Sequence, residues 1–385
     1  MISFELVAKD SKTSARAGIL HTPHGDIPTP VFMPVGTQGT VKTLPVWELK
    51  ELGVKIILNN IYHLYLRPGI EKIVKLGGLH SFQSWDGAIL TDSGGFQLFS
   101  LPDLRKVNDE GAVFRSHFDG SYHFITPEKA TEIQFAAGAD IIMAFDDCIS
   151  LPASRDKLEE AVNRTTNWAK RCKGKYIQLI EDLNVANPPS LFGIYQGGTD
   201  INLRKKSLVE ILDIDFPGIA IGGLSVGEAK DDMLSVLEET VPIIPEDKPR
   251  YLMGVGKPTD IMDAVVMGID MFDCALPTRN ARNGSVYTWK GKLIVKAGAY
   301  ATDETPIDPD CSCKVCKRYS KAYIRHLFNV GELLAPHLAT YHTMHFYLEF
   351  MEKMRKAIID GNFSKFCKEF RSNFSEKPDT PSGAC

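Results

Sequence analysis

The 385-residue sequence predicts an α/β fold: a (β/α)8 TIM barrel with an inserted β-hairpin and a C-terminal metal-binding subdomain. Three observations carry that expectation. Eight short, nearly continuous apolar runs ending in Gly, Asp or Asn recur within the first 278 residues. Helix-like stretches separate most of them, and none opens with the GxGxxG of a dinucleotide fold. A doubly wound sheet is the runner-up.

The runs are VFMPVG (31–36), KIILNN (55–60), AILTDSGG (88–95), DIIMAFDD (140–147), LFGIYQGG (191–198), GIAIGGLSVG (218–227), RYLMGVG (250–256) and MFDCALPT (271–278). Near-continuous hydrophobicity fits strands buried on both faces. Helical stretches start at Thr126, Ser154, Glu228 and Lys257, two of them with Pro near the first turn. An insertion after the third strand, AVFRSHFDGSYHFIT (112–126), reads as a hairpin around Asp119-Gly120. A second hairpin, GSVYTWKGKLIVKAG (284–298), turns at Lys290-Gly291, and a cysteine cluster and an amphipathic segment (337–359) follow. The expected division is a barrel with its N-terminal segment (1–283), a packed subdomain (284–375) and a flexible tail (376–385).

The hydrophobic share is 44% and the charged share 24%, a globular balance that argues against disorder or coiled coil. No apolar run is long enough to span a bilayer, and the N-terminus lacks the pattern of a signal peptide, so a cytoplasmic protein is expected. Eight cysteines in a chain with a full core suggest metal binding or catalysis rather than a disulfide framework. Net charge is −4 overall, but −10 up to Cys274 and +6 beyond it. A basic C-terminal region on an acidic body suits local contact with a polyanion, although a Lys-rich solvated surface has the same composition.

Cys311-x-Cys313-x-x-Cys316 places three thiols within six residues, close enough to clasp one tetrahedral ion. His342, His345 and His337 are the candidates for a fourth ligand. At strand ends, where a barrel gathers its chemistry, stand Asp92, Asp146 with Asp147, and Asp273. A lone Asp after a strand is ordinarily a helix cap, but three on different strands of one barrel suit acid/base and nucleophilic work. Gln196 and the Gly222-Gly223-Leu224 backbone offer polar contacts for a flat heterocycle, and Phe96 and Met253 offer stacking faces. Arg279 and Arg282 lie where a polynucleotide approaching the mouth could be held.

In combination, TDSGGFQ, AFDDC, GIYQGG, AIGGLSVGE, YLMGVGKP, FDCALPTRNARNG and CxCxxC, in this order over essentially the whole chain, resemble the tRNA-guanine transglycosylase (queuine tRNA-ribosyltransferase) family. The resemblance implies a zinc-containing barrel that exchanges guanine at the wobble position of GUN-anticodon tRNAs for a deazaguanine base. It makes Asp273 the nucleophile, Asp92 the acid/base and Asp146 a reader of the base edge. Ser93, Gln196, Gly223 and Leu224 join in base binding, with Phe96 and Met253 sandwiching the ring. Val226 and Cys148 look like the bacterial type, which takes the aminomethyl precursor of queuosine. Cys311, Cys313, Cys316 and His342 hold zinc, and a homodimer is implied. Two departures stand out: Thr343 replaces the usual Asn after the zinc histidine, leaving His345 a claim as ligand, and Phe96 is Tyr in some members. The competing readings are a non-catalytic RNA-binding barrel and a retaining glycosidase. The archaeal sibling enzyme usually carries a further RNA-binding domain, for which this chain has no room.

Overall fold

The computed structural model describes residues 2–95 and 105–379. An antiparallel sheet comes first, β1 (Ser3–Lys9), β2 (Arg16–Thr22) and β3 (Gly25–Thr29), which the sequence reading did not anticipate. The barrel strands then begin with β4 (Val31–Met33), β5 (Val35–Gly36), β6 (Ile56–Asn59) and β7 (Ala88–Thr91). After an antiparallel insertion, β8 (Arg105–Asn108), β9 (Gly111–Arg115) and β10 (Tyr122–Ile125), they resume with β11 (Ile141–Met143) and β12 (Ser190–Tyr195). β13 (Ile219–Ile221), β14 (Arg250–Leu252) and β15 (Met271–Asp273) complete the set.

The parallel order is β4-β15-β14-β13-β12-β11-β7-β6-β5. The two ends of that order are halves of one run broken at Pro34, which has no N–H to give a ladder. The run pairs with β15 through β4 and with β6 through β5, so the sheet closes and the eight expected strands are recovered. The insertion is three-stranded rather than the two-stranded hairpin expected, because β8 adds to β9.

Helices form at all four expected starts, one of them with a side-chain cap. Thr126 caps the helix Pro127–Ala137 by accepting from the Lys129 amide, and Gly138 ends it at φ 77°. The helix after Ser154 runs further than its first apolar stripe suggests, Arg155–Leu183, because Tyr176 continues the buried face before Asn184 turns left-handed.

Side chains alternate across the barrel wall with the period of a strand. Met33, Ile56, Leu58, Leu90, Met143, Ile194 and Tyr251 fill the lumen, while Phe32, Ile57, Ile89, Leu191, Leu252 and Phe272 face the helices. Ile2, Leu20 and Ile27 of the N-terminal segment enter the same lumen cluster, and the Ile2 amide donates to Ser190 Oγ at 3.0 Å where β12 begins. The N-terminal sheet therefore plugs the end of the barrel at which the strands start. An ion pair locks the plug: Arg16 Nε and Nη2 donate to Asp270 at 2.9 and 2.5 Å, both side chains almost wholly buried.

Beyond the barrel, β16 (Ser285–Thr288) and β17 (Gly291–Ile294) form the second hairpin, turning at Trp289-Lys290, one residue earlier than expected. Gly291 has a different task. β18 (Ser375–Asp379) runs parallel to β17, and a Cβ on Gly291 would lie 2.1 Å from the Ser375 carbonyl. The expected flexible tail from 376 is therefore corrected in its first residues, which dock as this strand; residues 380–385 lie outside the described residues. The long helix Leu334–Ile359 packs onto the barrel, with Tyr347 against Phe32 at 4.7 Å between ring centroids. One hydrophobic cluster runs through both parts.

Removing one partner of a buried ion pair strands the other charge. Asp270→Asn should accordingly lower the unfolding free energy by about 3–5 kcal/mol in a urea titration, whereas an unchanged midpoint would show that the plug is held without it.

Candidate functional site at the barrel mouth

The C-terminal ends of the strands carry the polar residues that the apolar lumen excludes. Asp92 follows β7, and its carboxylate is held by donors from the neighbouring strand end: Asn60 Nδ2 at 2.7 Å and the Ile61 amide at 2.9 Å. Asp273 ends β15. Its Oδ1 accepts from Tyr251 Oη at 2.6 Å and from the Gly254 amide at 2.9 Å, while no hydrogen bond reaches Oδ2 among the described residues. Burial raises the Asp273 pKa, and the bonds from Tyr251 and Gly254 oppose the rise. The Tyr251 phenol is pushed well above its ordinary value, first by burial, then by the charges of Asp273 and Asp92. One hydroxyl in the lumen thus feels both carboxylates, as it must if they border one cleft.

Asp146, after β11, is buried more completely, and its pKa rises to about 6. Loss of water is the main cause, opposed by Gln196 Nε2 at 2.7 Å and Ser93 Oγ at 3.3 Å and reinforced by the charge of Asp147. Asp147 is itself paired with Arg164 Nη1 at 2.5 Å. Gln196 explains the glycines beside it. A Cβ at Gly222 would sit 2.6 Å from its Nε2, and one at Gly223, where φ is +63°, only 2.1 Å from its Oε1.

Leu224 is buried, and Val226 is half-buried with its amide donating to Glu228 Oε2 at 3.0 Å. The Ser225 amide donates to the other oxygen of the same carboxylate. Met253 is half-buried beside the lumen cluster, and Cys148 is buried near enough to Arg204 to influence its charge. Arg279 is exposed on the helix Leu276–Arg282; Arg282 is half-buried, with Nη1 shut from solvent and without a hydrogen bond. Phe96 lies outside the described residues.

Arg204 escaped the sequence reading. It is fully buried, yet its guanidinium faces carbonyls rather than a carboxylate: Gly198 at 2.7 Å, Gly222 at 2.7 Å, Gly223 at 3.0 Å and Tyr195 at 3.3 Å. Burial lowers its pKa to about 10. It clamps from below the two loops that carry Gln196 and Gly223. The signal was present, since Arg204, Ser207, Leu208 and Ile211 all lie on the buried stripe of the helix Ile201–Asp213, at spacings of three, four and seven. Tyr251 and Asn60 were hidden inside runs read only as strands.

The cysteine loop meets the long helix 26 to 31 residues further along the chain, and four ligand atoms converge there. His342 Nδ1 lies 3.6, 3.7 and 3.3 Å from the sulfurs of Cys311, Cys313 and Cys316, and all four residues are buried. Bonds of about 2.3 Å to sulfur and 2.0–2.1 Å to nitrogen at a tetrahedral angle give ligand edges of roughly 3.6 Å, so the group fits a tetrahedral metal. His342 Nε2 faces the Tyr287 carbonyl at 2.9 Å, an orienting contact characteristic of ligating histidines. Of the three sulfurs His345 lies near that of Cys311, at 3.6 Å, with Ser312 Oγ at 3.4 Å on its other nitrogen, and His337 is engaged by the Thr43 carbonyl at 2.8 Å. None of the described cysteines forms a disulfide.

Arg204→Met strips several charge-assisted hydrogen bonds and leaves their buried carbonyls bare. It should cost roughly 3 kcal/mol or more in stability and speed hydrogen exchange at the Gly223 and Leu224 amides. Exchange unchanged at those amides would mean that the loops hold themselves.

Residues 10–376 match the family described as "Queuine tRNA-ribosyltransferase". A protein of that name from Thermoanaerobacter pseudethanolicus is 53% identical over 378 residues, covering 98% of this chain and 99% of the relative. Its counterparts from Caldanaerobacter subterraneus and Halothermothrix orenii are each 54% identical, over 97% and 98% of this chain and 98% and 99% of their own lengths. On a match of this extent, the chain belongs to the queuine tRNA-ribosyltransferase family.

Proposed function

We propose that the protein exchanges guanine at the wobble position of GUN-anticodon tRNAs for the aminomethyl-deazaguanine precursor of queuosine, through a covalent Asp273–ribose intermediate. The observation that carries the reading is the unequal hydrogen bonding of the two carboxylates. Asp273 has one oxygen fixed by Tyr251 and Gly254 and the other without a hydrogen bond among the described residues, as a nucleophile requires. Asp92 is held through both oxygens, which suits a group that must stay in place while it passes protons.

In the first half-reaction Asp273 Oδ2 forms a bond to the anomeric carbon while the carbon–nitrogen bond to guanine breaks. Asp92 supplies the proton that the departing base needs. The incoming base then attacks the same carbon from the other face, gives its proton to Asp92 and releases Asp273, so configuration is retained overall. Asp146, Ser93, Gln196 and the backbone at Gly223 and Leu224 read the polar edge of the base. Met253, with Phe96, covers its faces, and Val226 and Cys148 suit the bacterial substrate. The wobble nucleotide must leave its stack to enter, at a cost of about a few kcal/mol; phosphate contacts by Arg279 and Arg282 help to offset it. Arg279, exposed on the helix Leu276–Arg282, is open to such a contact.

The metal of the Cys311, Cys313, Cys316 and His342 group is zinc in this reading, and it would act as a structural staple. It ties the cysteine loop to the long helix, away from the carboxylates. A homodimer in the cytoplasm completes the proposal; among the described residues no helix is long and apolar enough to cross a membrane.

Incubation with substrate tRNA should give a denaturant-resistant adduct that Asp273→Ala abolishes, with mass spectrometry of the tRNA identifying the exchanged base. An adduct surviving in the variant would remove Asp273 from the role of nucleophile. The Asp146 carboxyl gives a second test. Below about 6 it is protonated and cannot accept two donors from a guanine-type edge; above that value it is a carboxylate and can. The KM for the free base should therefore fall as pH rises through about 6, and the step should vanish in Asp146→Asn. A KM flat across that range would sink the assignment.

A further inference from the structure

We propose that His24, His80 and Asp140 form a second divalent-cation site, of the zinc, cobalt and nickel class, on the plugged end of the barrel. The three residues come from separate elements. His24 lies in the turn between β2 and β3, His80 on the short helix Gly78–Gln83, and Asp140 immediately before β11. Their ligand atoms all lie within 4.8 Å of one another. Asp140 marks the start of a barrel strand, so the cluster sits at the opposite end from Asp92 and Asp273.

The hydrogen bonding leaves a place for a cation. His80 Nδ1 lies 3.1 Å from the Gly138 carbonyl, which can only accept, so that nitrogen carries the proton. In the neutral ring Nε2 then bears a lone pair. It stands 3.2 Å from Asp140 Oδ2, buried and without a hydrogen bond. Two lone pairs facing each other out of solvent require a positive centre between or beside them. The His24 Nδ1 is 2.6 Å from the other oxygen, Asp140 Oδ1. Metal–ligand bonds of about 2.0–2.2 Å give nitrogen–oxygen edges of roughly 2.9–3.4 Å at angles of about 90–109°; the 3.2 Å separation lies within that range, and the 2.6 Å one is a direct hydrogen bond that must lengthen on binding.

A proton on His80 is the alternative positive centre, but the His24 ring is stacked on His80 with centroids 3.7 Å apart. A charged imidazolium there would lie against a ring that already gives its own N–H to the same carboxylate. A cation at the ring edges serves both histidines together. On binding, His24 passes its Nδ1 proton to Nε2 and swings partly out of the stack, which its 38% exposed side chain at the hairpin turn permits. The carboxylate is already oriented, since the Ile89 amide donates to Asp140 Oδ2 at 2.8 Å, and the Gly138 carbonyl orients His80. Two imidazoles and a carboxylate suit borderline divalent ions, with water completing the sphere on the exposed side. The bound ion would pin the tip of the plug sheet to the barrel wall.

The test uses the full chain with its cysteine site loaded. After equilibrium dialysis against zinc chloride at about ten times the protein concentration, metal per chain is counted by mass spectrometry. Two equivalents are expected in the unsubstituted protein and one in both His24→Ala and His80→Ala. Cobalt titration separates the sites, because only the cysteine site gives thiolate-to-metal charge-transfer bands. His24→Ala, at an exposed turn, keeps the fold and should leave base exchange unchanged, while abolishing the zinc-dependent rise in melting temperature. One equivalent in the unsubstituted protein, or a second that survives both substitutions, would overturn the proposal.

Discussion

The arrangement rests on the filling of the barrel lumen by apolar side chains. Strand alternation sends every second residue inward, and the N-terminal sheet adds Ile2, Leu20 and Ile27 from below. Charge placed within that column would lose its water without gaining a partner. Asp92, Asp146 and Asp273 therefore stand at the open end, where strand termini, loop amides and the Tyr251 phenol supply hydrogen bonds, while the buried Asp270 at the plugged end needs Arg16 as its partner. The plug does more than fill space, because it turns a two-ended tube into a cleft with one entrance.

Within that cleft, three carboxylates of the same chemical type are made unlike by their neighbours. Asp92 is held by donors at both oxygens, Asp273 meets donors on one side, and Asp146 is dry enough for its pKa to reach about 6. None of these differences arises from the aspartates themselves. They come from Asn60, Tyr251, Gln196 and Ser93, and behind Gln196 from Arg204, which fixes the loop carbonyls without touching the cleft. A mouth built from strand ends lets such supports be supplied by different strands and tuned separately.

Much of this was legible in the sequence. Eight apolar runs became eight strands, because a strand buried on both faces leaves a pattern that no other element shares at that length. The Cys311-x-Cys313-x-x-Cys316 loop was legible because three thiols so close have few other uses. Spacing alone did not choose His342 over His345, which are one helical turn apart; the family resemblance did, and of the two only His342 lies near all three sulfurs. β1 to β3 were missed because β1 is a half-exposed strand whose inward residues join a distant core. β18 was missed because a short polar strand pairs through its backbone, and its partner's requirement, the glycine at 291, looks like a turn signal when read locally. Arg204 lay on an apolar stripe, but a charge there contradicts the periodicity that would have drawn attention to it.

Gly223 and Gln196 have a consequence for redesign. The glycine's missing methyl and the amide's oxygen occupy the same volume, since a Cβ there would come within 2.1 Å of Oε1. A side chain at 223 would therefore meet both the Gln196 amide and a backbone φ of +63°, whereas a shorter residue at 196 meets neither obstacle. Shortening residue 196 would lift the steric clash but leave the left-handed backbone at 223, so a library aimed at differently shaped rings gains from varying 196 while glycine is kept at 223.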